Sequence, residues 1–195
     1  MAQDYDSTVR VGPGERENIT LAEVYKLLAE DPEEFKTSAI APEYFVRAFE
    51  DLSKTVDEIL CVTVSSKLSA GYNNAVIAGK EAMDKMPGLR VRVLDSLSAS
   101  GGEGLIALAA ARSASRGLDL DAVAAAAEQA RQYADCLFVF DTLRYVYRTG
   151  RMPKVVSQVA GGLGVKPLVQ VRGDGKVHFV ALFRSREKAL ERALE

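Results

Sequence analysis

Residues 58–72 read Glu-Ile-Leu-Cys-Val-Thr-Val-Ser-Ser-Lys-Leu-Ser-Ala-Gly-Tyr, and this stretch decides the fold class. Its first half is a nearly continuous apolar run of strand length, which is typical of a parallel strand covered on both faces. Its second half changes to small hydroxyl residues, a glycine and the start of a helical pattern. Such a strand end forms a concave rim of O–H and N–H donors at the carboxyl edge of a sheet, which favours an anionic head group.

Two further hydroxyl clusters occur at comparable places in the sequence. The pair Thr37-Ser38 precedes another helix start, and the serines of 96–100 follow a second apolar strand pattern. Because Ser and Thr are also common helix N-caps, each cluster alone has a purely structural interpretation. Three such rims in one chain point to ligand binding more than to any other function.

The pattern on either side of the stretch alternates between strand and helix. This alternation predicts right-handed crossovers and a mainly parallel sheet with helices on both faces. Before the stretch, we expect a short strand at 8–11, a helix over 21–29 that starts with a capping box at Thr20 and Glu23, and a helix around 44–52. After it, we expect helices over 69–85, 102–116 and 119–133, and strands over 89–95 and 136–140.

The pattern changes after Arg151. Residues 165–171 and 177–183 are strand-like and flank Asp174-Gly175, the strongest short signal for an antiparallel hairpin, and a helix begins near Ser185. The sequence therefore predicts an α/β domain over 1–152, followed over 153–195 by the start of a second mixed α/β lobe that is truncated.

Composition excludes several classes of function. The chain has 195 residues and a net charge of −2, and no basic stripe argues for nucleic-acid binding. No apolar stretch reaches the roughly 18 to 20 residues that a membrane span needs, and the acidic start lacks the pattern of a signal peptide. We therefore expect a cytoplasmic protein without a membrane span.

The residue types that carry most enzyme chemistry are scarce. Cys61 and Cys136 lie inside apolar strand patterns and are expected to be buried, inert thiols. His178 is the sole histidine, which disfavours a metal cluster and obliges any Ser-His-Asp triad to use it. A serine-dependent acyl hydrolase with Lys67 as base, a phosphate-binding α/β enzyme and a purely structural protein stay open as alternatives, although no GxxxxGK[ST] or GxGxxG motif occurs at a rim.

The rims, in this order, resemble the DegV family of bacterial lipid-binding proteins, which includes the fatty-acid-binding subunits of fatty acid kinase. The matching pieces are Thr37-Ser38 before Pro42, the segment 64–72, Val93-Leu94-Asp95-Ser96 leading to Ala99-Ser100, Asp141-Thr142-Leu143 with Gly150-Arg151, and Val165-Lys166-Pro167. The resemblance implies an α/β domain and a second mixed domain with an acyl chain between them. Relative to that pattern, the N-terminal domain lacks the usual first strand and helix.

The resemblance also implies roles for individual residues. Thr37 and Ser69 fall on the contacts of the fatty-acid carboxylate, and Ser38, Ser65 and Ser66 are lower-ranked neighbours. Two arginines fall where members associated with the kinase face that partner; they are Arg151 and Arg184. The expected protein holds a long-chain fatty acid, presents it to a fatty acid kinase catalytic subunit, needs no cofactor or metal and performs no covalent chemistry. Leu105, Leu108 and Ala109 are expected to line the acyl chain or to belong to the core.

Overall fold

A computed structural model of the protein describes residues 9–10, 15–16, 20–30, 38–142, 150–151 and 164–194. The chain divides into two compact units, Met1–Ser38 and Ala39–Glu195. No helix in this described part combines the length and the apolar character that crossing a membrane requires.

The described residues of the first unit form two very short strands and one helix. Strand β1 (Val9–Arg10) pairs antiparallel with β2 (Glu15–Arg16), and helix α1 covers Leu21–Glu30. The capping box predicted at its start is confirmed, because the Thr20 N–H donates to Glu23 Oε2 at 2.8 Å and the Glu23 N–H donates to Thr20 Oγ1 at 3.3 Å. These bonds satisfy amide groups that a helix start otherwise leaves without partners.

The second unit carries the predicted alternation of helices and strands. Over its described residues the elements are α2 (Pro42–Ser53), β3 (Glu58–Thr63), α3 (Gly71–Lys85), β4 (Arg90–Asp95), α4 (Ser100–Ala114), α5 (Leu120–Arg131), β5 (Cys136–Val139), β6 (Lys166–Val171), β7 (Val177–Phe183) and α6 (Arg186–Leu194). Each corresponds to an element that the sequence predicts, with ends shifted by a few residues.

Strands β3 and β4 are parallel and are covered by helices on both faces. The register runs from Glu58 opposite Arg90 to Thr63 opposite Asp95. One face packs on α2 and α3 through a cluster that includes Val46, Phe49, Ile59 and Ala78. The other face packs on α4 and α5 through a cluster that includes Leu94, Ile106, Ala110 and Val123. The mixed α/β fold with a parallel sheet is thus confirmed, and burial on both faces explains the continuous apolar run in β3.

Strand β5 pairs differently from the prediction. It lies antiparallel to β6, with Cys136 opposite Val171, and the hairpin strand β7 completes a three-stranded antiparallel sheet. The apolar pattern of β5 predicts a buried strand but carries no information about the direction of its partner, so the expectation that it extends the parallel sheet is wrong. In the sequence, β5 lies before position 152 and β6 lies after it. The predicted domain boundary at this position stays a prediction.

Helix α4 leaves its leucines largely exposed. Its buried residues are Gly102, Ile106, Ala110 and Ser113, whereas Leu105 is 61% and Leu108 is 43% exposed. The expectation that these two leucines belong to the core is therefore wrong, because α4 turns its small residues inward to approach the sheet closely.

A cluster of charged side chains just after β5 attaches helix α6 to the sheet of β5, β6 and β7. The Asp141 carboxylate lies 3.0 Å from Lys166 Nζ and 3.1 Å from Arg186 NH1. The hydrogen bond from Lys166 is the main cause that lowers the pKa of Asp141 below its ordinary value.

Candidate functional site

The predicted rim forms where β3 and β4 end at the same edge of the sheet. The loop that follows β3, residues 64–70, lies against the loop that follows β4, residues 96–99. The Ser65 N–H donates to the Ser98 carbonyl oxygen at 2.8 Å, and the Ser96 N–H donates to the Thr63 carbonyl oxygen at 3.1 Å. The hydroxyl clusters of these two strand ends are therefore neighbours, as the parallel topology requires.

Asp95, at the end of β4, ties the two loops together. Its Oδ1 accepts one bond from the Ser66 N–H at 3.1 Å and another from the Leu97 N–H at 3.0 Å. The Asp95 carbonyl oxygen in turn accepts from Arg131 NH1 at 2.9 Å. Asp95 thus fixes the backbone on which Ser66, a half-buried candidate, is carried.

Ser65 is fully buried and its hydroxyl is committed to a contact inside the protein. Its Oγ donates to the Gly175 carbonyl oxygen at 2.7 Å and accepts from the Lys67 N–H at 3.2 Å. A serine hydroxyl has one proton. Because that proton is directed at Gly175, the loop of 64–70 is attached to the turn between β6 and β7.

Ser69 presents a different hydroxyl. The residue is half-buried two positions before α3, and its Oγ accepts from the Gly71 N–H at 3.1 Å. Its own N–H donates to the Ser65 carbonyl oxygen at 3.1 Å. The hydroxyl proton takes part in none of these bonds, so Ser69 combines partial exposure with a donor that can be directed at a ligand, a combination that the half-buried Ser66 shares.

The two predicted partner-binding arginines occupy different places. Arg151 is exposed and its Nε donates to the Leu68 carbonyl oxygen at 2.9 Å, next to Ser69. Arg184 is exposed just after β7. The structure thus brings Arg151 to the candidate loop.

The predicted hydroxyl pair Thr37-Ser38 belongs to the first unit. Thr37 lies outside the described residues, and Ser38 is exposed at the end of the first unit. Their roles stay predictions of the resemblance.

The loop after β4 is strained and carries an unpaired polar atom. Leu97 in this loop and Ser100, the first residue of α4, have φ values of 49° and 52°, in a region that non-glycine residues seldom adopt. The Ser98 Oγ is buried and makes no hydrogen bond within the part of the chain that the structure describes. A Cβ added at Gly102 would overlap this oxygen. Ser98 therefore packs inside the protein.

The described residues give little support to nucleophilic or metal chemistry. Lys67 is exposed, and no bond between its amine and a serine hydroxyl is present in the described ranges. His178 Nε2 lies 3.0 Å from both Asp174 carboxylate oxygens, and His178 is half-buried while Asp174 is exposed. Burial is the main cause that raises the pKa of the Cys61 thiol to about 11. Where residues are described, no group of three His, Cys, Asp or Glu is placed to bind a metal ion.

A cavity of about 390 Å³, open to solvent and lined mainly by apolar residues, runs along β3 on the face that α4 and α5 cover. Its lining residues are Glu58, Leu60, Val62, Ala107, Ala110, Ala111, Ala114, Leu118, Leu120 and Val123. None of them belongs to the rim loops, so the cavity is a separate feature of the fold.

Two residues of the rim are absent from the sequence-based candidates, namely Asp95 as a loop bridge and Gly175 as the partner of Ser65. Asp95 belongs to a motif that the sequence singles out, and its position directly after an apolar strand is a usable signal. Gly175 is recognisable only as a turn glycine, because its contact with Ser65 spans 110 positions of the chain.

Comparison with known proteins identifies relatives along most of the chain. A family model described as an uncharacterised protein of the DegV family matches residues 12–195. A DegV domain-containing protein from Caldanaerobacter subterraneus is 34% identical over 173 residues, which cover 89% of this chain and 60% of that relative. The chain thus spans about three fifths of the length of this curated relative.

Solved structures with the same fold include proteins described as binding fatty acids. A fatty-acid (stearic acid)-binding protein from Eubacterium ventriosum is 26% identical, with a TM-score of 0.80, and the match covers 94% of this chain and 64% of that one. A DegV family protein from Thermus thermophilus, described by its fatty-acid binding, is 28% identical with a TM-score of 0.77 over 94% of this chain and 65% of that one.

Proposed function

Because this chain belongs to the DegV family, we propose that it binds a long-chain fatty acid and holds the carboxylate through the Ser69 hydroxyl. The observation that carries the proposal is the half-buried Ser69 Oγ, which accepts from the Gly71 N–H and donates its proton to no group of the described residues. Fatty-acid binding by the two structural relatives supports the ligand class.

The chemistry of the rim suits a carboxylate. Hydroxyl and amide donors form charge-assisted hydrogen bonds with it without burying a full positive charge, whose desolvation would be costly. Ser69 lies two residues before α3, a helix of 15 residues whose N-terminal dipole favours a negative charge by about 0.3 to 2 kcal/mol. The head group is therefore oriented by Ser69 and the start of α3.

The tail supplies most of the affinity. At about 0.8 kcal/mol per buried CH₂, a chain of about fifteen carbons contributes on the order of 10 kcal/mol before ordering costs. This exceeds the contribution of the helix dipole several-fold. Affinity therefore depends on acyl length, and Ser69 determines which end of the lipid faces the rim.

The further role proposed for the protein is presentation of the bound carboxylate to a fatty acid kinase catalytic subunit, with no covalent chemistry of its own. The exposed Arg151, whose Nε donates to the Leu68 carbonyl oxygen beside Ser69, supports a docking surface next to the head group.

We propose that Arg184, which is exposed just after β7, also contacts the kinase subunit. Arg184→Ala is expected to retain the fatty acid and to slow acyl-phosphate formation by the kinase subunit and ATP, and loss of the lipid would contradict its assignment.

A calorimetric titration with palmitate tests the binding proposal. Ser69→Ala is expected to weaken binding by about 10- to 100-fold, because a hydrogen bond to a charged group contributes roughly 1.5 to 3 kcal/mol. Thr37→Ala tests the second contact that the resemblance implies.

Ser115→Ala is the matched control for this titration, because the Ser115 hydroxyl is exposed and bonds only its own helix, to the Arg112 carbonyl oxygen. It should bind palmitate as the unsubstituted protein does. Absence of palmitate binding by the unsubstituted chain, or equal affinity in the Ser69 and Ser115 variants, would refute the proposal.

A further inference from the structure

We propose that Gly175 is a positioning residue for Ser69, and that the turn of the β6–β7 hairpin holds the ligand-binding loop in its binding conformation. The expected effect of Gly175 on fatty-acid binding rests on the proposed function. The coupling between the turn and the loop can be measured without any ligand.

Gly175 occupies a place that only glycine fits. It is buried in the turn, and its φ of +76° lies in the left-handed region that other residues seldom adopt. A Cβ at this position would overlap Ser65 Oγ and would lie 3.1 Å from Leu97 Cδ2 and 3.3 Å from Lys67 Cγ. The turn is therefore seated against both rim loops at once.

A short series of hydrogen bonds connects this turn to Ser69. The Ser65 hydroxyl donates to the Gly175 carbonyl oxygen at 2.7 Å, and the Ser65 carbonyl oxygen accepts from the N–H groups of Leu68 at 2.9 Å and Ser69 at 3.1 Å. Ser65 thus contacts the turn through its side chain and Ser69 through its backbone. A shift of Ser65 away from the turn must move the Ser69 N–H and the hydroxyl next to it.

The buried position of Ser65 makes this coupling strong. The side chain is 0% exposed, so water cannot replace the Gly175 carbonyl oxygen as its partner. The hydrogen bond depends on the missing Cβ of Gly175. The Gly175 carbonyl oxygen reaches the Ser65 hydroxyl only because the turn can approach Ser65 this closely. Replacing Gly175 therefore removes the bond as well as adding strain.

The chain offers two matched controls. Gly117 has nearly the same backbone conformation, with φ of +79°, and nothing within 4 Å of an added Cβ. Gly117→Ala therefore imposes the same backbone strain without a clash. Gly173 lies in the same turn as Gly175, also with open space around an added Cβ, so Gly173→Ala tests substitution in the turn without contact to Ser65.

The first measurement is amide hydrogen exchange of the full chain without fatty acid. In Gly175→Ala, the amides of Lys67 and Ser69 are expected to exchange faster relative to a reference amide in β4, such as that of Leu94. Gly117→Ala and Gly173→Ala should leave this ratio unchanged. An unchanged ratio in Gly175→Ala as well would overturn the proposed coupling.

The second measurement is palmitate affinity. Gly175→Ala is expected to lose about tenfold or more, because the charge-assisted bond from Ser69 is misplaced, while the two control variants change less than about twofold. Equal losses in Gly175→Ala and Gly117→Ala would show that strain alone is responsible and would contradict a positioning role.

A second variant keeps the test decisive if Gly175→Ala does not fold. Ser65→Ala removes the hydrogen bond to Gly175 without adding any atom, and it is expected to accelerate exchange at Ser69 and to weaken palmitate binding in the same direction. If the unsubstituted chain binds no palmitate but the exchange ratios change as expected, the fatty-acid function fails and the coupling stands. If palmitate binds and the ratios do not change in Ser65→Ala, the coupling fails and the function stands.

Discussion

The serines of the rim differ in whether the hydroxyl proton is donated to another group of the protein. Ser65 and Ser69 are four positions apart, yet one hydroxyl is fully buried and donates to a carbonyl oxygen while the other is half-buried with its proton uncommitted in the described contacts. Residue type and spacing predict that hydroxyls gather at this edge. They do not predict which hydroxyl faces a ligand, because that depends on the partner that each proton finds after folding.

The thiol of Cys61 provides a prediction at the scale of one residue. Burial raises its pKa to about 11, so at pH 8 only about one thiol in a thousand is the reactive thiolate. We expect alkylation of Cys61 by iodoacetamide to be slow in the folded chain and to accelerate about tenfold per pH unit up to about pH 10. Peptide mass mapping after alkylation measures the rate at each cysteine.

The denatured chain is the control, since its thiols have an ordinary pKa and alkylate readily at pH 8. A Cys61 rate in the folded chain that levels off near pH 9 would show an ordinary thiol and would contradict the effect of burial.

At the scale of elements, the rim depends on a bridge between the ends of β3 and β4. Parallel strands place their carboxyl ends together, and the two loops that follow are joined by a backbone bond from the Ser65 N–H to the Ser98 carbonyl oxygen. The Asp95 carboxylate adds to this bond by accepting from one amide of each loop, those of Ser66 and Leu97. The sequence places Asp95 at a strand end, and the structure gives the reason for an acidic side chain there.

Substitution of Asp95 tests this bridge. Asp95→Ala is expected to lower the free energy of unfolding by about 2 kcal/mol, since it removes the acceptor of two amide groups. Asp95→Asn keeps an oxygen in the same place and should lose less than half as much. Urea denaturation followed by circular dichroism compares the variants. Equal stability of the Ala variant and the unsubstituted chain would show that water replaces the carboxylate.

At the scale of the whole molecule, local signals predicted most of the architecture. The alternation of elements, the Asp174-Gly175 hairpin and the capping box at Thr20 each depend on neighbours in the sequence, and each is confirmed. The antiparallel pairing of β5 with β6 was not predicted, because an apolar strand pattern is compatible with either direction of pairing. The sequence also does not predict the contact between Ser65 and Gly175, since only the complete fold brings these residues together.

The central claim is that the Ser69 hydroxyl holds a fatty-acid carboxylate, and carbon NMR of bound [1-¹³C]palmitate tests it most directly. A hydrogen bond to the charged form lowers a carboxyl pKa, so removing the donor in Ser69→Ala should raise the pKa of the bound carboxyl group. The carboxyl resonance is expected to titrate at a higher pH in Ser69→Ala than in the unsubstituted chain, and Ser115→Ala should match the latter. Identical titration curves in all three proteins would show that Ser69 does not contact the carboxylate and would contradict the account.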